Sequence, residues 1–85
     1  MGIRWDPAKS RRLRATRGAG FEEILGFRLL ELRRHPGRAN QDILLFEHEG
    51  YVWVVPFVTR GDEVFLKTAF RSRRYTRRWR AGELP

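Results

Sequence analysis

The stretch "YVWVVPFVTR", residues 51 to 60, constrains this chain most. It is a nearly unbroken run of β-branched and aromatic residues, the pattern of a strand covered on both faces. Pro56 is its misfit. A proline has no N–H to give to a ladder, so a bulge or an unpaired edge is expected there. With 85 residues, the chain reads as one domain over 1–85 whose core is modest, because so short a chain buries only about two-thirds of its unfolded surface.

The flanking segments extend this β-region. "DILLFEHEG" before the run reads as a strand with a polar end. "TRGDE" after it reads as a hairpin turn, and "EVFLKTAF" as the returning strand. Upstream, "GIRW" is a candidate short strand. "DPAKSRRLRATRG" carries both ends of a helix: Asp6 at the N-cap, Pro7 at the first helical position and Gly18 just past the end. Phe21, Ile24 and Leu25 start a second helix, with Glu22 and Glu23 where the helix dipole favours them. It is expected to end near Phe27 or Arg28. Residues 29 to 35 fit either more helix or a strand, and strand is preferred. "HPGRANQ" is a loop by its Pro36, Gly37 and Asn40. "RSRRYTRRW" reads as a final short helix or tail with Ser72 as its N-cap. The expected fold class is α+β: two N-terminal helices packed on one face of a three- to four-stranded antiparallel sheet, followed by a short basic C-terminal helix.

Charge narrows the partners. Eighteen Lys and Arg stand against ten Asp and Glu, a net of +8 with a pI of about 11.4, which points to a polyanion. Residues 68 to 80 hold six arginines, Arg71, Arg73, Arg74, Arg77, Arg78 and Arg80, and no acid. Lys9, Arg11, Arg12, Arg14 and Arg17 cover most of the first helix. A charge run is usually a solvated face. Here the balance is one-sided, and arginine, whose planar fork matches phosphate oxygens, far outnumbers lysine. Tyr75 and Trp79 lie among the arginines, where rings serve either to stack on unpaired bases or to anchor a terminal helix.

Several chemistries lack their residues. There is no cysteine, so disulfides, thiolate metal sites and a thiol nucleophile are out. His35 and His48 lie 13 positions apart without metal-ligand spacing, and "EHE" at 47 to 49 reads as a solvated turn, so no metal or other cofactor is expected. Glu22 and Glu23 are adjacent and explained by the dipole. No Walker loop and no GxSxG turn occurs. No apolar run is long enough to span a bilayer and no signal peptide is visible, so no membrane partner and a cytoplasmic location are expected.

A basic site still has one reaction open to it. RNA carries its own nucleophile, the 2′-hydroxyl. Aligning that oxygen with the neighbouring phosphorus and neutralising the phosphorane charge are the large terms in such a cleavage, and arginines at fixed geometry supply both.

The two ends of the chain resemble the BrnT-like toxins. "IRWDPAKSRRLRATRGAGFEEI" matches the family's opening at Trp5, Asp6, Lys9, Gly18, Phe21, Glu22 and Glu23. "VFLKTAFRSRRYTRRW" matches its terminal strand and following motif at Arg73, Arg74, Thr76, Arg77 and Trp79. "HPGRANQ" and "VVPFVTRGDEVFLKT" look like a branch with a longer central loop. The resemblance implies a RelE-like ribonuclease fold and a metal-independent endoribonuclease toxin of a type II toxin–antitoxin pair. Such a toxin cleaves RNA and arrests translation, and its cognate antitoxin protein binds it and operator DNA. In one departure, many members have Lys-His-Gly where this chain has Thr16-Arg17-Gly18. A guanidinium there does not transfer protons at neutral pH, which leaves the proton-transfer groups unassigned.

Arg73 and Arg74 are therefore expected to contact the phosphate or transition state, with Arg71 and Lys67 supporting and Thr76 and Tyr75 orienting the substrate. Lys9, Arg17, Arg60, Arg77 and Arg78 are expected to bind RNA. The alternative from another class is a non-catalytic nucleic-acid-binding or regulatory module with a degenerate toxin fold. A third reading, compatible with the first, makes the basic face a dock for an acidic antitoxin.

Overall fold

The computed structural model describes residues 2–35, 37 and 40–84. Along the chain run β1 (Gly2–Arg4), α1 (Pro7–Arg17), α2 (Phe21–Ile24), β2 (Arg28–Arg34), β3 (Asp42–His48), β4 (Tyr51–Arg60), β5 (Glu63–Leu66), β6 (Phe70–Arg71) and α3 (Arg73–Arg80).

The helix ends follow local chemistry. The Asp6 carboxylate accepts the Ala8 N–H at 3.0 Å, Pro7 opens α1, and Gly18 takes a left-handed conformation (φ 90°) while donating to the Arg14 carbonyl. At α3, the Ser72 hydroxyl accepts the Tyr75 N–H at 3.1 Å. The second helix is shorter than expected. Its regular part stops at Ile24, and a turn closed by Gly26 N–H on Glu23 O and Phe27 N–H on Ile24 O delivers the chain to β2. Residues 28 to 34 are strand, paired with β3. In the following loop Gly37 and Asn40 lie in turns, whereas Pro36 falls outside the described residues.

The sheet is larger than the sequence indicates. It has six strands in the order β1-β5-β4-β3-β2, with β6 beside β4. The expected meander of β3, β4 and β5 is there and antiparallel. β1 adds a parallel pairing with β5, Gly2 to Arg4 against Glu63 to Phe65. Pro56 sits in the central strand, opposite a bulge. Leu66 pairs with Phe57 and Phe70 with Val54, so three residues, Lys67 to Ala69, pass two on β4. The Pro56 carbonyl accepts the Lys67 N–H at 2.8 Å on that side. No partner there asks for the N–H that proline lacks.

The helices do not share one face. Alternate residues of β4 feed two separate cores. Trp53, Val55 and Phe57 pack with Leu13, Phe21, Ile24, Phe46 and Leu66 under α1 and α2. Val52 and Val54 pack with Leu30, Ile43, Leu45, Tyr75 and Leu84 under α3. The both-sided apolar run thus reflects cover from both directions, and α3 is the second layer. Thr76 fixes that layer: its hydroxyl, 3% exposed, accepts the Val52 N–H at 2.9 Å.

α1 and α2 are locked by Ser10, itself 1% exposed. Its hydroxyl accepts the Phe21 N–H at 2.9 Å and donates to Glu22. The approach leaves no room at Gly20, where a Cβ would stand 2.6 Å from Ser10 Oγ and 2.9 Å from Ser10 O.

Candidate nucleic-acid interface

Four residues of the site share one sheet face because of ladder register. Directly paired residues project to the same side. His48 pairs with Tyr51 across the β3–β4 turn, and Trp53 pairs with Arg71 across β4 and β6. Tyr51 and Trp53 are two apart on β4, so all four face the α1/α2 side. Arg73 joins them from the first turn of α3. His48, Glu49, Tyr51, Trp53, Arg71 and Arg73 line an open pocket of about 530 Å³, the size range of a ligand cleft.

The Arg71 guanidinium lies over the Trp53 ring, 4.7 Å from its centre. A Cβ added at Gly18 would touch Arg71 Nη2 at 3.4 Å, so the end of α1 borders the same site. Arg17 faces the strand: its guanidinium donates to the Ala69 carbonyl in the bulge. The His48 ring is stacked flat on Phe27, with centres 3.9 Å apart and planes 2° apart, and its Nε2 is 2.9 Å from Glu49 Oε1. Arg80 lies over Tyr51 at 5.6 Å and donates to the Gly50 carbonyl at 3.0 Å, tying the β3–β4 turn to α3.

The arginines from 71 to 80 divide among three surfaces. Arg71 and Arg73 enter the pocket. Arg77 is exposed on the same side of α3 as Arg73 and Arg80, at i, i+4 and i+7. Arg74 and Arg78 flank Tyr75 on the opposite sheet face, 5.9 and 5.6 Å from its ring centre, with Arg33 at 5.6 Å. Arg78 pairs with Glu83, whereas Arg71, Arg73, Arg74, Arg77 and Arg80 form no ion pair among the described residues.

Two of the residues expected to orient a substrate lie inside the protein. Tyr75 is 7% exposed and belongs to the α3 core, and Thr76 holds the Val52 amide. Lys67 and Arg60 line a separate cleft of about 300 Å³ with Arg4, Glu63 and Phe65. Lys9 is half-buried on α1. The pocket also holds residues outside the sequence-expected site: His48 and Glu49, which read as a solvated turn, and Tyr51 and Trp53, which read only as strand. The period of two along 51 to 53 does place the two rings on one side. It does not place Arg71 beside them, because that depends on the bulge.

Neither a protein-family model nor a curated protein matches the sequence. Among solved structures, the crystal structure of the Brucella abortus ribonuclease toxin BrnT superposes with a TM-score of 0.56 at 22% identity, over 85% of this chain and 96% of that one. The fold is that of BrnT. It is an α+β arrangement, a six-stranded sheet with three helices. No helix among the described residues is long and apolar enough to cross a membrane.

Proposed function

We propose that this protein is a metal-independent endoribonuclease toxin of a type II toxin–antitoxin pair, cleaving RNA in the cytoplasm and so inhibiting translation. One observation carries the reading: two guanidinium groups with no acidic partner among the described residues, Arg71 and Arg73, share a pocket with Trp53, which lies under Arg71, and an exposed Tyr51. Arg73 contacts the scissile phosphate, and Arg71, held over the Trp53 ring, stabilises the charge that develops on its oxygens. Arg77 and Arg80 continue the positive track along α3 to flanking phosphates. The likeness to a ribonuclease toxin supports the choice of RNA. The partner that silences such a protein is an acidic antitoxin covering these arginines.

The test is incubation of purified protein with single-stranded RNA in EDTA. Discrete products with 2′,3′-cyclic phosphate ends are expected, with Arg73→Ala losing far more cleavage than binding. RNA that is bound but left whole favours the non-catalytic nucleic-acid-binding module instead. Growth arrest on induced expression, relieved by co-expression of a neighbouring antitoxin reading frame, checks the toxin assignment.

A further inference from the structure

The pocket contains an imidazole that phosphate binding does not use. Guanidinium groups neutralise charge but do not release protons, whereas an imidazole exchanges protons near neutrality. His48 is that imidazole, and the fold holds it from three directions. Phe27 supports the ring face. Glu49 places a carboxylate oxygen 2.9 Å from Nε2. The backbone beneath it is fixed on both sides of Gly50, whose N–H is bound by Glu47 and whose carbonyl is bound by Arg80.

The turn itself is unusual for its sequence. Glu49 and Gly50 both have positive φ, 52° and 83°, as a two-residue type I′ hairpin requires. Such turns favour Asn-Gly or Asp-Gly. Glu49 is the one non-glycine residue with positive φ among the described residues, a conformation that side chains other than glycine rarely adopt. A glutamate here reaches His48, where Asn would bring no charge and Asp a shorter arm. Glu49, Arg71 and Arg73 are the other charged residues lining the pocket with His48, and Tyr51 lines it too.

We propose that His48 is the general base of the cleavage, oriented by Glu49, an inference that rests on the ribonuclease reading above. The carboxylate stabilises a proton on Nε2 and leaves the Nδ1 lone pair to accept one. The 2′-hydroxyl proton passes to Nδ1 as the 2′-oxygen–phosphorus bond forms. The bond from phosphorus to the 5′-oxygen breaks, giving a 2′,3′-cyclic phosphate and a 5′-alkoxide that takes its proton from water. His48 then returns its extra proton to solvent. Arg71 and Arg73 neutralise the negative charge on the phosphorus oxygens throughout.

The decisive experiment measures first-order cleavage of a labelled single-stranded RNA by excess protein in EDTA, from about pH 5 to pH 8. The wild-type rate rises with pH, as catalysis by an unprotonated base requires. His48→Asn cuts about 10²- to 10⁴-fold more slowly and loses that profile. It melts like the wild type and binds a 2′-O-methyl RNA of the same sequence unchanged. Added imidazole restores part of the rate to His48→Gly. If His48→Asn keeps the wild-type rate and profile, His48 is not the base and the ribonuclease reading stands without it. A rate loss matched by lost folding or affinity, with no rescue, assigns the ring to packing on Phe27 and overturns the proposal. Wild-type protein that binds the RNA and leaves it whole at every pH sinks the ribonuclease reading, and this inference with it.

Discussion

Arg71 and Trp53 face each other across the β4–β6 ladder, with the guanidinium carbon 4.7 Å from the centre of a ring that is 2% exposed. The pair joins core to pocket, because the indole that fills the α1/α2 core is also the platform of the Arg71 guanidinium. Arg71→Lys keeps the charge but gives up the planar fork and the stacking. It is expected to cost no more than ~2 kcal/mol in urea unfolding and about 10²-fold in cleavage rate. Trp53→Ala is expected to cost about 3–5 kcal/mol, so little of it should survive to be assayed. Comparable unfolding midpoints for the two variants contradict this division.

Thr76 separates a structural from a catalytic role for the first turns of α3. Thr76→Val removes the acceptor of a buried N–H at Val52 and preserves shape, so the unpaired amide costs about 1–3 kcal/mol. Thr76→Ser keeps the acceptor and recovers most of that. RNA cleavage per folded molecule is expected to change little in either variant. A Thr76→Val protein of wild-type stability and poor activity reverses the assignment.

Much of this was legible from residue types acting locally. Asp6, Pro7 and Gly18 bound α1, and Ser72 opens α3, because caps are chemistry between neighbours. Pro56 announced its bulge because a missing donor has to be accommodated wherever the strand runs. The pairing of residues 2 to 4 with 63 to 65 was not legible, since nothing in three residues specifies a parallel neighbour sixty positions away. The layer formed by α3 was hidden because its basic surface outweighs two buried residues, Tyr75 and Thr76. The pocket was half visible. The sequence puts Arg73 and Arg74 first with Arg71 in support, but the helix turns Arg74, with Arg78, to the other face. His48 was discounted because a turn explains "EHEG" without a function, and only the stacking on Phe27 shows that the ring is held.

The contact between α1 and α2 makes stability depend on acid pH. The Glu22 carboxyl is held below its ordinary value of 4.5, chiefly by the hydrogen bond from Ser10 and then by backbone donation, with Arg14 adding charge. Glu23 is held below it chiefly by the Arg14 guanidinium and then by the Gly20 N–H. Both pKa values are lower in the folded state, so the stability they supply is full above the ordinary value of 4.5. It is lost as pH falls through the lower folded values. Urea midpoints at pH 7 and pH 3 test this. Glu23→Gln is expected to lower the midpoint at pH 7 and to approach the wild type at pH 3. An equal gap at both pH values removes the carboxylate from the account.

Lys67 and Arg60 lie in a cleft of their own, away from Arg73, and salt dependence tells the two surfaces apart. A cation that meets only backbone phosphate adds to binding through counterion release, with a slope of roughly −0.7 per contact on single strands. Lys67→Ala and Arg60→Ala are therefore expected to weaken binding of a non-cleavable RNA evenly across sequences. Each flattens the plot of log affinity against log salt by no more than that amount. Cleavage at saturating RNA stays at the wild-type rate, because neither residue lines the Arg71 and Arg73 pocket. Arg73→Ala is expected to do the opposite, with a modest change in slope and a large loss of the saturated rate. If Lys67→Ala loses the saturated rate as fully as Arg73→Ala, the RNA has to cross both clefts in its reactive pose, and the pocket at the β3–β4 turn is then only part of the site.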